Sequence, residues 1–89
     1  MELIDNMKQL GWHLLARDFD VIDGKVDFLF KNRNLIFVVQ QGRDKIVLKK
    51  RALAAAKIIK QYIDKKFTIY HGHILNSDRI HNIYKLNKD

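Results

Sequence analysis

Asp27 interrupts the run Val26-Asp27-Phe28-Leu29-Phe30, which is otherwise apolar. Burying a carboxylate costs free energy unless it is hydrogen-bonded, paired or bound to metal. Asp27 therefore needs a partner, and a turn or a cation such as Lys25, Arg43 or a helix lysine is the simplest choice. His71 and His73 stand two apart in the segment Phe67 to Leu75. Alternate strand residues point the same way, so the two imidazoles have the spacing of a metal pair. No third ligand accompanies them, and half-exposed strand histidines are the plainer expectation. His13 and His81 stand singly and read as packing or surface residues. Asp18, Asp20 and Asp23 cluster without the glycine and closing glutamate of a calcium loop, which fits a solvated acidic turn. The largest charged group is cationic. From Lys45 to Lys66 the chain holds eight Lys or Arg and a single acid, Asp64. Lysines along one helix face can neutralise phosphates without reading base sequence; an ordinary solvated face is the plain alternative. Exposed aromatics beyond Tyr62, Tyr70 and Tyr84 are few, which argues little for base stacking.

These residues need elements to hold them. Lys25 to Gln41 has two apolar runs around Asn32-Arg33-Asn34, the pattern of a hairpin. Leu35 to Val39 is continuously apolar, which suits a central strand buried on both faces. Before it, Leu3, Ile4, Met7 and Leu10 have helical spacing, with Gly11 as the stop. Trp12 to Asp20 reads as the first strand, with Trp12, Leu14 and Ala16 on one face and His13, Leu15 and Arg17 on the other. Trp12 is expected in the core. Asp23-Gly24 is a favoured two-residue turn. Gly42-Arg43-Asp44 breaks the third strand, and Asp44 fits a helix N-cap. A long helix then runs to about Lys65, with Leu48, Ala52, Ala55, Ile59, Tyr62 and Ile63 as its apolar stripe. Ala54, Ala55 and Ala56 let it approach a sheet closely. Lys49, Lys50, Lys57 and Lys60 occupy its other face, with Arg51 nearby. Phe67 to Leu75 alternates as a fourth strand, Asn76-Ser77-Asp78 is a turn, and Arg79 to Leu86 reads as a short edge strand.

Length and composition bound the function. Eighty-nine residues make one domain, residues 1–89, that can bury somewhat over ~60% of its unfolded surface. The absence of cysteine excludes disulfides, thiolate zinc sites and a thiol nucleophile, and fits a cytoplasmic location. No apolar run approaches the ~18 residues of a membrane span, and the opening residues lack the pattern of a secretion signal. A net charge of +7 favours a polyanionic partner, nucleic acid first.

Three strings together resemble a known family. Gly11-Trp12-His13-Leu14-Leu15-Ala16-Arg17-Asp18-Phe19-Asp20 is similar to the block G-(Y/W)-x-(I/L)-L-A-R-N-(Y/F)-R. Gly24-Lys25-Val26-Asp27-Phe28-Leu29 is similar to G-E-I-D-L-I, and Leu35-Ile36-Phe37-Val38-Val39-Gln40-Gln41 to L-V-F-V-E-V-K. These are blocks of the small bacterial YraN family within the PD-(D/E)XK nuclease superfamily, relatives of archaeal Holliday-junction resolvases. Lys50-Arg51-Ala52-Leu53 through Tyr62-Ile63 resembles the family's following helix. The resemblance runs from about Gly11 to Leu86 and implies a restriction-endonuclease-like α/β fold, α-β-β-β-α-β-β, with a mixed central sheet flanked by helices. It also implies a site in which Asp and Glu carboxylates hold Mg²⁺, the metal activates water, and a Lys two residues after the Glu stabilises charge. In this chain Asp27 matches the motif Asp, Val39 stands at the Glu position and Gln41 at the Lys position. Lys25 replaces the earlier Glu. A one-residue shift of register brings Gln40 and Gly42 to those positions and restores no carboxylate.

Three readings follow. The first is a catalytically degenerate nuclease-like domain, with Asp27 and Gln41 as vestiges of the catalytic set and no cofactor. It binds DNA or RNA backbone through Arg43, Lys45, Lys49, Lys50, Arg51, Lys57 and Lys60, while Gln40 and Gln41 lie along the substrate's path. The second is a divergent Mg²⁺-dependent nuclease using Asp27 with Glu2 or Asp20. The third is a homodimeric assembly module.

Overall fold

A computed structural model of the chain describes residues 2–62, 66–75 and 79–86. Ile63, Asp64, Lys65 and the Asn76-Ser77-Asp78 turn lie outside the described residues. Helix α1 (Glu2–Gln9) buries Leu3 and Met7. Gly11, at φ 93°, ends it. The Trp12 N–H returns to the Met7 carbonyl at 2.9 Å and the Gly11 N–H to the Lys8 carbonyl at 3.0 Å, which is the paired Schellman closure that a left-handed glycine permits.

Five strands follow: β1 (His13–Val21), β2 (Gly24–Asn32), β3 (Leu35–Gln41), β4 (Thr68–Ile74) and β5 (Ile80–Lys85). They form one sheet in the order β1-β2-β3-β4-β5. β1, β2 and β3 are an antiparallel meander, β4 lies parallel to β3, and β5 returns antiparallel on β4. The parallel step requires a crossover, and helix α2 (Lys45–Tyr62) supplies it. The sheet is therefore mixed, as the resemblance implies, and β5 is an edge, as its short alternating run suggests.

Each face carries one helix. Val26, Leu29, Ile36, Val38 and Ile69 pack against Ala52, Ala55, Ala56 and Ile59 of α2. Phe28, Phe30, Phe37, Val39 and Ile74 pack against Leu3 and Met7 of α1, with Trp12 half-buried beside them. The Trp12 and Phe37 ring centroids are 5.6 Å apart. Residues 36 to 39 alternate between the two cores, so β3 is buried on both faces, as its continuous apolar run demands.

Local details depart from the sequence pattern. The first hairpin turns at Ile22-Asp23, one residue earlier than Asp23-Gly24, because Val21 pairs with Gly24. The second turns at Arg33-Asn34, with Arg33 at φ 55°. In β1 the register slips between Leu14 and Ala16. Leu14 therefore joins the α1 core and Ala16 the α2 core, rather than sharing a face. Tyr62 leaves the apolar stripe and is 83% exposed.

Candidate functional site

The α2 helix starts where the sequence indicates. Asp44 Oδ1 accepts from the Ile46 N–H at 3.1 Å and the Val47 N–H at 3.2 Å, satisfying amide groups that lack helical partners. Buried Leu48, Ala52, Ala55 and Ile59 define its inner face. Lys50, Lys57 and Lys60 are exposed at spacings of seven and three, which places them on one outer face. They share it with the exposed apolar side chains of Ile46 and Leu53. From Lys50 to Lys60 the helix advances about 15 Å. Lys45 and Lys49 lie on one flank, over the β4–β5 side. Arg51 lies on the other, half-buried. Its Nε–H donates to the Asp23 carbonyl at 3.4 Å, and the same nitrogen would stand 2.8 Å from a Cβ at Gly24. Arg51 thus docks α2 on the first hairpin. Arg43 is exposed.

Asp27 finds its partner in the neighbouring strand. Its Oδ2 accepts the Gln41 backbone N–H at 2.7 Å. β2 and β3 pair only from Phe28 and Val39 onward, so the carboxylate closes the end of that ladder. A hydrogen bond to a charged acceptor contributes about 1.5–3 kcal/mol. The alternation of β2 breaks at the same point: Val26 faces α2 while Phe28 faces α1. Val39, at the position the resemblance gives to a glutamate, is fully buried among Phe28, Phe30 and Phe37. Gln41 and Lys25 are exposed. Among the described residues no three His, Cys, Asp or Glu side chains converge as a metal set.

Gln40 does not lie on an open path. It is 0% exposed and reaches to the α2 side. Its Nε2 donates to the Leu48 carbonyl at 2.7 Å and stands 3.0 Å from His71 Nε2. Its Oε1 is buried and has no hydrogen-bond partner among the described residues. His71 Nδ1 lies 2.7 Å from Tyr84 Oη, and His73 Nε2 lies 3.0 Å from Asn82 Nδ2. Both histidines are buried, not half-exposed. Burial first, then neighbouring His73, lowers the His71 pKa to about 4. His73 is lowered too, by burial first and then by Lys45 and His81. Burial raises Tyr84, which stays a protonated donor. The spacing of the two histidines is a sign of shared facing. It carries no sign of Gln40, which lies 31 residues before His71 and becomes its neighbour through the parallel pairing of β3 and β4.

The chain is a small α/β domain whose five-stranded mixed sheet carries a helix on each face. No helix among the described residues is long and apolar enough to cross a membrane. No protein-family model matches the chain, and no curated protein matches it.

Proposed function

We propose that this chain is a restriction-endonuclease-like domain that has lost its metal site and binds DNA or RNA backbone through the outer face of α2, without sequence preference. The exposure of Lys50, Lys57 and Lys60 in one row, backed by Lys45 and Lys49 on the flank, carries the reading. Ammonium groups spread over about 15 Å can meet several successive phosphates, and each such pairing releases condensed counterions. The net charge of +7 draws a polyanion toward the surface at long range. The sheet order, with a parallel β3–β4 step after an antiparallel meander, accords with the resemblance in the sequence. Val39 in an apolar core and Asp27 engaged by the Gln41 N–H favour binding over hydrolysis.

An anisotropy titration with labelled duplexes of unrelated sequence tests this. Similar weak affinities are expected, with log affinity falling steeply and linearly against log salt. Binding that is absent at low salt, or indifferent to salt, would sink the proposal. One observation favours an assembly role instead: Ile46 is 72% and Leu53 46% exposed between the lysines. A salt-insensitive, concentration-dependent dimer would point there.

A further inference from the structure

A cavity of about 160 Å³ opens between the first turns of α2 and the β4–β5 ladder, with Lys45, Lys49, His71, His73, Asn82 and Tyr84 in its lining. One water needs only ~10–15 Å³, so several atoms of a ligand fit. The cavity lies on the α2 side of the sheet, whereas Val39 faces α1. It is therefore separate from the position of the motif carboxylates.

The hydrogen bonds assign its protons. The Gln40 amide nitrogen has two protons, one for the Leu48 carbonyl and one for His71 Nε2. Turning the amide over would set Oε1 against the Leu48 carbonyl, acceptor against acceptor, so its orientation is determined by the network. His71 Nε2 is then an acceptor and the ring is the neutral tautomer with its proton on Nδ1. That N–H donates to Tyr84 Oη, which keeps its own proton to give. Asn82 Nδ2 likewise donates to His73 Nε2. Leu48 adds an apolar wall; Tyr84, Lys45 and Lys49 have donor protons to spare, and among the described residues no Asp or Glu lines the cavity.

The geometry points to a seat for one phosphomonoester group, held by Lys45, Lys49 and the Tyr84 hydroxyl over the Gln40–His71 support. A monoester presents three terminal oxygens to three donors. Its charge of roughly −1.5 to −2 suits two cations better than the single charge of a backbone diester does. A diester is also substituted on both sides and cannot enter end-on. The source is a free phosphate or the phosphorylated end of a nucleic-acid strand.

Nitrogen-edited NMR of the intact chain separates these. Inorganic phosphate and an end-phosphorylated oligonucleotide are expected to shift the His71 and His73 ring nitrogens and the Lys45 and Lys49 amides. The unphosphorylated oligonucleotide, and chloride at matched ionic strength, leave the ring nitrogens in place. Tighter binding of the oligonucleotide than of free phosphate identifies the strand end as the source; the reverse order identifies the small molecule. Tyr84→Phe raises the Kd about tenfold, as loss of one hydrogen bond to a charged group does. Lys45→Gln with Lys49→Gln, at exposed positions that leave the fold intact, abolishes the shifts and serves if Tyr84→Phe fails to fold. Equal shifts from chloride, or none from either phosphate, overturn the inference. Shifts confined to Lys50, Lys57 and Lys60 overturn it while leaving the backbone-binding proposal standing; shifts confined to the cavity do the opposite.

Discussion

Gln40 is wholly buried, its Oε1 without a partner among the described residues, and an orphan acceptor costs about 1–3 kcal/mol. Its amide nitrogen compensates by tying α2 to β4 through the Leu48 carbonyl and His71. That arrangement requires His71 to stay neutral, because a protonated Nε2 would face the amide nitrogen donor to donor. The ring's pKa is held at about 4 against an ordinary 6.5, and the direction of the consequence follows. Above 6.5 the imidazole is neutral in both folded and unfolded chains, and the fold keeps its full stability. As the pH falls from 6.5 toward about 4, the unfolded chain takes up a proton that the fold refuses. Stability is lost across that window and levels off below it. The loss from His71 should be about 2 kcal/mol, allowing for partial solvent screening, and the lowered His73 adds in the same direction. Urea unfolding on either side of the window checks it, with His71→Gln expected to flatten the dependence. A parent protein equally stable throughout would show that the ring is not held neutral.

At the scale of the element, α2 has two jobs on different faces. Its inner face is small and apolar, so the backbone sits close to the sheet; Arg51 and Asp44 fix its hairpin contact and its start. Its outer lysines do none of this. Replacing Lys50, Lys57 and Lys60 together by Gln should therefore barely alter the melting temperature, since exposed charges contribute little to folding. The same change should weaken binding uniformly across sequences and reduce the salt slope by about 0.9 for each phosphate no longer neutralised. A triple variant that binds as tightly as its parent would reduce the row to a solvated face. This division was legible in the sequence, because a 3.6-residue period separates alanines from lysines. So were the seven elements in order, the Asp44 cap and the Gly11 stop, which rest on local chemistry. What was not legible depends on pairing. The register slip after Leu14 follows from how β1 meets β2, and the one-residue shift of the first turn follows from Val21 pairing with Gly24. Burial of Gln40 and the histidines depends on β3 and β4 lying parallel beneath the first turns of α2. A lone glutamine after an apolar run carries no local sign of that.

Over the whole molecule, the sheet separates an α1 core from an α2 core, and this bears on whether a metal can be held. Lys25, Val39 and Gln41 stand at the positions of the resembled motif's Glu, Glu and Lys. Their surroundings differ: Val39 is sealed under Phe28, Phe30 and Phe37, while Lys25 and Gln41 are exposed. Asp27, the remaining motif acid, already accepts the Gln41 N–H. One such carboxylate is a poor host for Mg²⁺, which favours near-octahedral oxygen coordination. Mg²⁺ should therefore leave the melting temperature of the parent chain unchanged, because a ligand stabilises only a state that binds it. Neither Mg²⁺ nor Mn²⁺ should support cleavage of duplex, junction or single-stranded substrates. The sharper test rebuilds the motif with Lys25→Glu, Val39→Glu and Gln41→Lys in one chain. The glutamate at 39 must displace apolar packing and carry charge into the α1 core, so the apo variant should lose several kcal/mol, about 3–5. If β2 and β3 keep their register in the variant, the restored carboxylates flank Asp27, and Mg²⁺ should recover part of that loss. Calorimetric melts of parent and variant, with and without Mg²⁺, measure it. Recovery in the variant alone supports descent from a metal-dependent nuclease. Cleavage by the unmodified chain that Asp27→Ala abolishes would instead make Asp27 a working ligand and the protein a divergent enzyme.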